Sequence, residues 1–306
     1  MDYQWIAVDF GGPEVLRRVE VDVPAPEHGQ VRIDVRASGM NPADSKHIAA
    51  GQDRSLLPLT LGFEVSGVVS AVGSGAGFSV GDEVVSRASG GYATAVTVPA
   101  SGVYRKPPPL SFPAAANLLL VGTTAADLLH SAGVSSGETI LLHGAAGAVG
   151  ISVLQQARTL GARAIGTASP ANFAVVERFG GVPVEYGPGL LDRVMAAAPD
   201  GVAAALDTVG SREAGDVSLA LVKDRSRVIT IADAPRAKAD GYVFNGASNP
   251  ASGPFRAHAA PRIVAMAADG QLIVPMAATF PFDEAPAALA MLTGPHPPGK
   301  IALVRE

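Results

Sequence analysis

The first third of the chain alternates short apolar runs with glycine and proline. Residues 31–36 (Val-Arg-Ile-Asp-Val-Arg) alternate apolar and charged side chains with a period of two, which predicts a half-buried strand. The valine-rich residues 65–72 and the residues after the Gly-Asp turn at 81–82 predict two more strands. Because turn residues recur every few positions, this part of the chain predicts a β-rich, barrel-like domain.

The pattern changes after residues 106–109 (Lys-Pro-Pro-Pro), where three prolines forbid helix. Beyond this point apolar strand patterns alternate with helical ones. The predicted strands cover residues 138–143, 163–167, 203–206, 227–231 and 242–244, and the predicted helices cover residues 122–132, 149–160 and 171–179. This alternation predicts an α/β domain with a parallel, doubly wound sheet, and residues 301–304 predict a last strand.

Composition narrows the classes of function. A chain of 306 residues exceeds the usual size of one core, so two domains are expected. A net charge of −5 without basic runs argues against nucleic acid as a partner. The absence of cysteine excludes disulfides, thiolate-bound zinc and a cysteine nucleophile. The N-terminus has no apolar signal segment, and the most apolar stretch, residues 112–121, is short for a bilayer, so a cytoplasmic protein without a membrane partner is expected.

The strongest local signal is residues 141–150, in which an apolar strand runs through a small-residue turn into a helix. Small residues let the backbone approach a diphosphate, and the amides and dipole of the helix start bind the anion. The glycine pattern of dinucleotide sites fails only at its first place, which is alanine. The alternative is an ordinary glycine-rich turn between strand and helix. The candidate cofactor-binding residues here are Gly144, Ala145, Ala146, Gly147, Ala148, Val149 and Gly150.

The end of the next predicted strand bears on the choice between NAD and NADP. Enzymes that use NAD usually place a carboxylate there to bind the ribose 2′-hydroxyl. This chain has Ser169 instead, which leaves room for a 2′-phosphate and offers a hydroxyl to it. No Lys or Arg occurs in residues 169–176 to pair with that phosphate, and the alternative role of Ser169 is a helix N-cap. The pattern favours NADP(H).

Six short segments in this order resemble the zinc-independent quinone oxidoreductases of the medium-chain dehydrogenase/reductase superfamily, over nearly the whole chain. They are residues 10–16, 39–44 (Gly-Met-Asn-Pro-Ala-Asp), 61–69, 122–125, 207–210 and 299–301. The resemblance implies a GroES-like β-barrel catalytic domain, formed by residues 1–118 and 247–306. A Rossmann NADP-binding domain, residues 119–246, is then inserted between them, with the nicotinamide in the cleft. It also implies a homodimer.

The resemblance further suggests roles for individual residues. Zinc-dependent members of the superfamily carry Cys where this chain has Asn41 and His where it has Phe63, so both ligands are missing. Asp44 and Glu64 are then expected to be structural remnants of the zinc architecture. The residues implied to lie along the cofactor are Thr124 near the nicotinamide ribose, Tyr186 beside the adenosine ribose, and Phe244 near the nicotinamide. Val209, in the matching segment 207–210, is a further candidate cofactor-binding residue.

Without a metal, the substrate must itself be electrophilic, which favours a quinone or another α,β-unsaturated carbonyl compound over a simple ketone. Asn41 is the first candidate to donate to the substrate carbonyl or position the nicotinamide; its alternative is an Asn-Pro turn. Lys46 is a candidate proton donor, and its alternative is a solvated loop. Two other functions stay open. One is an enoyl-thioester reductase of fatty-acid or polyketide metabolism, and the other is an NADPH-binding structural or sensor protein without turnover.

Overall fold

The computed structural model describes residues 1–49, 51, 53–246 and 249–305, and the chain divides into two compact units. The first unit comprises Met1–Leu120, Val264–Gly270 and Val274–Glu306. The second comprises Val121–Ile263 and Gln271–Ile273. The sequence placed the domain boundaries at residues 118–119 and 246–247, and residue 247 lies outside the described part of the chain.

The strands in chain order are β1 (Asp2–Ala7), β2 (Leu16–Val21), β3 (Gln30–Met40), β4 (Leu59–Thr60), β5 (Glu64–Val72), β6 (Glu83–Arg87), β7 (Ala95–Pro99), β8 (Val103–Arg105), β9 (Thr139–His143), β10 (Arg163–Ala168), β11 (Gly181–Glu185), β12 (Ala204–Asp207), β13 (Val228–Thr230), β14 (Val243–Phe244), β15 (Met276–Pro281) and β16 (Lys300–Val304). The α-helices are α1 (Pro42–Ala49), α2 (Phe112–Ala115), α3 (Leu119–Ser131), α4 (Ala148–Leu160), α5 (Phe173–Arg178), α6 (Leu190–Ala197), α7 (Arg212–Leu221), α8 (Ala234–Asp240), α9 (Ser252–Ala268) and α10 (Ala285–Thr293).

The first unit is built on two sheets. A three-stranded sheet has the order β2-β1-β4, and a seven-stranded sheet runs β15-β16-β3-β5-β6-β8, with β7 also paired to β3. The central strand β3 shows the predicted alternation, because Val31, Ile33 and Val35 are fully buried in the core of this unit. The predicted β-rich domain is therefore confirmed, and its last strand comes from the C-terminal part of the chain, as the sequence indicated.

The second unit is a six-stranded parallel sheet with the order β11-β10-β9-β12-β13-β14. Counted from β9, this is the 3-2-1-4-5-6 order of a doubly wound sheet, so the predicted architecture is confirmed. Strands are added on one side of β9 up to β11 and on its other side from β12 onward. The crevice between β9 and β12, where this order reverses, is where such sheets bind ligands. Strand β11 was not predicted from the sequence, because this edge strand contains Pro183, and proline argues against a strand except at an edge.

Helix α1 corrects the alternative given for Lys46, a solvated loop, because Lys46 lies within this helix. It begins at Pro42, a residue suited to the first helical position. The Asp44 carboxylate reaches back and accepts a hydrogen bond from the Asn41 amide N–H at 2.7 Å, as in a capping box. The Asn-Pro-x-Asp segment therefore encodes a helix start.

One apolar helical stretch has the length of a membrane-spanning helix. Among the described residues, Phe112–Ser131 is long and apolar enough to cross a membrane by length and composition. This corrects the expectation that the stretch beginning at residue 112 is too short. However, 78% of its most apolar window is buried inside the protein, as in a core helix.

Candidate functional site

The turn between β9 and α4 is closed by glycine geometry. Gly144 has a positive φ of +77°, and a Cβ there would lie 2.4 Å from Thr208 Oγ1. The Gly147 N–H donates to the Gly144 carbonyl at 3.0 Å, which completes the turn. A Cβ on Gly150 would lie 2.2 Å from that same carbonyl oxygen, so the helix can pack against the turn only with glycine at this position.

Ala145, the alanine that departs from the glycine pattern, is explained by its neighbours. No residue other than glycine has a positive φ among those described, so Ala145 needs no glycine conformation. Its N–H donates to the Thr167 carbonyl at 3.0 Å. Its methyl group occupies the space beside Gly166, where an added Cβ would lie 2.6 Å from it. The turn therefore accommodates alanine at position 145 because the neighbouring strand has glycine at position 166.

The first turn of α4 fits a diphosphate. Its N-cap is Gly147, which has no side chain to cap the helix, so the amides of Ala148, Val149 and Gly150 have no acceptor within the helix. Ala146 and Val149 are half-buried beside them. Backbone amides at a helix start, with small residues before them, form the cradle in which a dinucleotide diphosphate is bound. The residues present therefore fit the phosphates of a nicotinamide dinucleotide.

The turn after β12 lies at the same switch point of the sheet. The Asp207 carboxylate accepts hydrogen bonds from the Val209 N–H at 2.9 Å and from the Gly210 N–H at 3.0 Å. Thr230 Oγ1 also donates to Asp207, at 2.8 Å. These bonds fold the turn so that the Val209 side chain is left exposed. The Asp-Thr-Val-Gly segment is thus a carboxylate-organised turn at the carboxyl end of a strand.

His143, the last residue of β9, is buried beneath the candidate phosphate turn. Its Nε2 lies 3.2 Å from Ser218 Oγ, and its Nδ1 lies 3.4 Å from Thr167 Oγ1. Burial lowers the pKa of His143 to about 4, against the opposing effect of the Asp207 carboxylate. The imidazole is therefore neutral near pH 7 and links β9 to its neighbours. No role was predicted for His143 from the sequence, although its position at the end of a predicted apolar strand was a signal for burial.

Most predicted cofactor residues follow the carboxyl ends of the parallel strands. Ser169 follows β10, Tyr186 follows β11, Val209 follows β12 after the turn, and Phe244 ends β14. Because the strands are parallel, these residues lie along the same edge of the sheet as the turn at Gly144. Thr124 differs, since it is buried within α3.

Ser169 occupies an N-cap position without making the capping bond. It precedes a short 3₁₀-helix, Pro170–Asn172, but its side chain accepts no hydrogen bond from that helix's backbone. Its Oγ instead lies 3.2 Å from Asn172 Nδ2, which donates to it. The end of β10 therefore offers a hydroxyl and an amide, both neutral, where a carboxylate is typical of NAD sites.

The first unit contains a buried polar network around Asn41, whose side-chain oxygen and nitrogen both make hydrogen bonds. Asn41 Oδ1 accepts a hydrogen bond from Lys300 Nζ at 2.5 Å, and Asn41 Nδ2 donates to Glu64 Oε1 at 3.1 Å. Lys300 Nζ also donates to the Met40 carbonyl at 2.6 Å. Glu64 Oε2 accepts from the Leu120 N–H at 2.9 Å. The side chain of Asn41 is thus held from both sides, with one Nδ2 hydrogen left over.

Two carboxylates share the single ammonium group of this network. Tyr92 Oη donates to Asp44 Oδ2 at 2.9 Å. Burial raises the pKa of Asp44 to about 6, and it also raises the pKa of Glu64. Burial lowers the pKa of Lys300, while both carboxylates act in the opposite direction. Asp44 and Glu64 are both buried in this network. Lys300 was not among the candidate site residues, although it lies in the matching segment 299–301.

The structure does not bring Lys46 into this network. Lys46 is exposed on α1, whereas Asp44, two residues earlier, is buried. Residues two positions apart on a helix do not face the same way. The ring of Phe63, at the second position for which the resemblance implies a zinc ligand in zinc-dependent members, meets the His47 ring edge-to-face at 6.2 Å. Among the residues that the structure describes, no group of three His, Cys, Asp or Glu side chains could hold a metal ion.

Two family profiles match the chain. The profile described as "Alcohol dehydrogenase GroES-like domain" matches residues 27–108, and the profile described as "Zinc-binding dehydrogenase" matches residues 187–303. Together with the structural neighbours, these matches confirm the predicted fold class, a GroES-like domain with a Rossmann-like parallel sheet.

Sequence relatives and solved structures agree with these profiles. Quinone oxidoreductase from Sus scrofa is 44% identical over 166 residues, which are 52% of this chain and 50% of the relative. The matched region thus spans half the length of this curated relative. Two mycobacterial structures, one of a quinone oxidoreductase and one complexed with NADPH, are each 30% identical and cover 100% of both chains, with TM-scores of 0.81 and 0.84. The CurK enoyl reductase is 25% identical, covers 99% of both chains and has a TM-score of 0.88.

Proposed function

Because the chain belongs to the quinone oxidoreductase family of the medium-chain dehydrogenase/reductase superfamily, we propose that it transfers hydride from NADPH to a quinone or another α,β-unsaturated carbonyl compound, without zinc. The observation that carries this proposal is the turn from Gly144 to Gly150, whose steric demand for glycine and uncapped helix start suit a diphosphate. When bound, NADPH supplies the hydride. One hydride and one proton then convert a quinone to a hydroquinone.

The preference for NADPH rests on the end of β10. A carboxylate there would repel the 2′-phosphate, and this chain has the hydroxyl of Ser169 and the amide of Asn172 instead. The mycobacterial neighbour complexed with NADPH supports the same choice. We therefore propose that Ser169 hydrogen-bonds the 2′-phosphate, and that Tyr186, on the same edge of the sheet, contacts the adenosine ribose.

We propose a mechanism without zinc because of the side chains that stand at the two expected ligand positions. An amide and a phenyl ring, those of Asn41 and Phe63, stand where zinc-dependent relatives have thiolate and imidazole ligands, and they do not fit zinc. The substrate carbonyl must then accept hydride without a metal Lewis acid, which quinones and enones can do. The remaining Nδ2 hydrogen of Asn41 is proposed to donate to that carbonyl, with the amide orientation fixed by Lys300 and Glu64. Lys46 stays a candidate proton donor from the exposed face of α1.

The test is a nicotinamide absorbance assay with purified protein. We expect oxidation of NADPH by 1,4-benzoquinone or a short enone, little oxidation of NADH, and no loss of rate after treatment with a chelator. Chelator-sensitive turnover would remove the zinc-free mechanism. Binding of NADPH without oxidation by any acceptor would instead favour a structural or sensor role.

Substitutions of Ser169 test the proposed preference for NADPH over NADH. Replacing Ser169 with Asp should shift the ratio of kcat/KM for NADPH over NADH towards NADH by about tenfold or more, because a carboxylate repels the phosphate and binds the ribose hydroxyl. Ser169→Ala is the matched control, since it removes the hydroxyl without adding charge and should lower that ratio less. An unchanged ratio in Ser169→Asp would place the 2′-phosphate elsewhere.

A second candidate function is the reduction of an enoyl thioester. It is favoured by the similarity to the CurK enoyl reductase, whose TM-score is 0.88. Crotonyl-CoA in the same assay separates the two functions. A kcat/KM for crotonyl-CoA well above that for every quinone and simple enone would make the enoyl-thioester reductase the better assignment.

We also propose that the protein is a cytoplasmic homodimer whose partner is a small molecule. The resemblance of the whole chain to the quinone oxidoreductases supports the dimer, and the mildly acidic net charge of −5 speaks against nucleic acid. Light scattering coupled to gel filtration should give twice the mass of the chain. A monomer across micromolar concentrations would contradict the dimer.

A further inference from the structure

The second unit contains a cavity of about 390 Å³ that the proposed reaction does not use. It lies among α3, α4 and α9, and its volume is within the usual range for small-molecule sites. Much of its wall is aliphatic, with Leu129, Leu160 and Ile263 contributed by the three helices in turn. An occupant therefore needs an apolar body.

The polar part of the lining is basic. His258 and Arg262 are four residues apart on α9, so they share a face of that helix, and His130 on α3 also lines the cavity. The ring of His130, an exposed residue, stacks on Phe255 with centroids 4.2 Å apart and planes 8° apart. None of the described residues lining the cavity is acidic.

Arg262, an exposed residue that lines the cavity, differs in its pairing from Arg256, the other arginine of α9. Arg256 is paired with Asp127 at 2.9 Å. Arg262 has no ion pair among the residues that the structure describes. A guanidinium without a carboxylate partner, at the edge of an apolar cavity, is suited to bind a carboxylate in bidentate fashion.

We propose that this cavity is a binding site for an amphipathic carboxylate, whose apolar body contacts the aliphatic wall and whose head group binds Arg262 and His258. The site is distinct from the dinucleotide turn. Gln156 and Leu160, which line the cavity, lie about 9 to 15 Å along α4 from Gly150, at the opposite end of that helix. The proposal therefore stands independently of the reaction assigned above.

The first experiment is calorimetric titration of the full chain with sodium octanoate, with octan-1-ol and sodium acetate as probes that lack the charge and the apolar body, respectively. Octanoate should bind at least about tenfold more tightly than octan-1-ol, and acetate should show no saturable binding. Arg262→Gln should weaken octanoate binding about tenfold. The matched control is Arg212→Gln, which removes an exposed arginine of the same unit outside the cavity and should leave the affinity unchanged.

The second experiment locates the ligand. In a ¹H–¹³C spectrum of the imidazoles, octanoate should shift the signals of His130 and His258, and the signals of His28 and His296, which do not line the cavity, should stay in place. NADPH affinity should be the same in Arg262→Gln and in the unchanged protein, which shows that the variant is folded. Equal octanoate affinity in Arg262→Gln, shifts at all of these histidines, or no octanoate binding would overturn the proposal.

Discussion

At the scale of single residues, Lys300 stands out because one buried ammonium group serves several acceptors. It donates to Asn41 Oδ1 and to the Met40 carbonyl, and its charge faces the carboxylates of Glu64 and Asp44. Removing one partner of such a buried ionic network leaves an uncompensated charge, which costs more than the intact network contributes. The orientation proposed for Asn41 therefore depends on a residue far away in the sequence.

Lys300→Met should lower the free energy of unfolding by about 3 to 5 kcal/mol, because the Glu64 carboxylate loses its ammonium partner. Adding Glu64→Gln to that variant should restore part of the loss, since the orphaned charge is then gone. Urea denaturation of both single variants and the double variant measures the coupling. Lys223→Met, at an exposed position, is the control and should change stability by less than about 0.5 kcal/mol. Strictly additive losses would contradict the network.

His143 gives a pH dependence whose sign is fixed by its burial. The unfolded chain protonates this imidazole below its ordinary pKa of 6.5, whereas the folded protein does so only below about 4. The folded state is therefore destabilised as pH falls from 6.5 to 4, by up to about 3 kcal/mol. Asp44 acts in the opposite sense, because its pKa is raised from 3.8 to about 6 and stability is lost as pH rises through that range.

The difference between the wild-type protein and His143→Gln isolates the histidine, because Asp44 contributes equally to both. We expect the Tm advantage of the wild-type protein over the variant to shrink steadily between pH 6.5 and 4. Differential scanning fluorimetry in buffers of equal ionic strength measures it. A difference that stays constant over this range would show that His143 titrates normally in the folded protein.

At the scale of elements, the close packing of β9, β10 and α4 depends on two glycines, which have no Cβ to keep the backbones apart. Gly150 packs its backbone on the Gly144 carbonyl, and Gly166 leaves room for the Ala145 methyl group. The turn therefore tolerates alanine at one pattern position because the neighbouring strand has glycine opposite it. Pattern matching along a single segment misses this compensation.

Gly150→Ala should destabilise the protein by about 1 to 3 kcal/mol and weaken NADPH binding at least about tenfold, because the new Cβ would lie 2.2 Å from the Gly144 carbonyl and push α4 away from the turn. Gly102→Ala is the control, since a Cβ there meets nothing within 4 Å. Thermal unfolding and NADPH titration should separate the two variants. Normal NADPH affinity in Gly150→Ala would show that the turn tolerates a wider separation.

At the scale of the whole molecule, the two units have separate cores, and the candidate phosphate turn belongs to the second unit alone. A ligand that binds only the folded state stabilises it by about 2.7 kcal/mol at a concentration of one hundred times Kd. NADPH should therefore slow amide exchange through β9, β10 and α4. Exchange in the centre of β3, in the first unit, should change much less. Equal protection in both units would show that they unfold as one.

The alternation of hydrophobic and polar positions determined much of the architecture, because burial of one strand face or one helix stripe is a local property. Strand β3, the helix α4 with its glycine stop at Gly161, and the parallel sheet all followed from that pattern. The phosphate turn was also readable, since its requirements for small residues and a helix start are local. Strand β11 was missed, because only its place at the sheet edge makes Pro183 acceptable.

What only the tertiary structure decided is which distant side chains meet. Lys300 and Asn41 are separated by 259 positions, and their hydrogen bond exists only because β16 pairs with β3. Packing between elements also decides that His143 is buried and that Lys46 is exposed. It forms the basic cavity beside α9 in the same way. The sequence fixes the local conformational preferences of each segment, whereas burial and the charges opposite each side chain arise from the assembled fold.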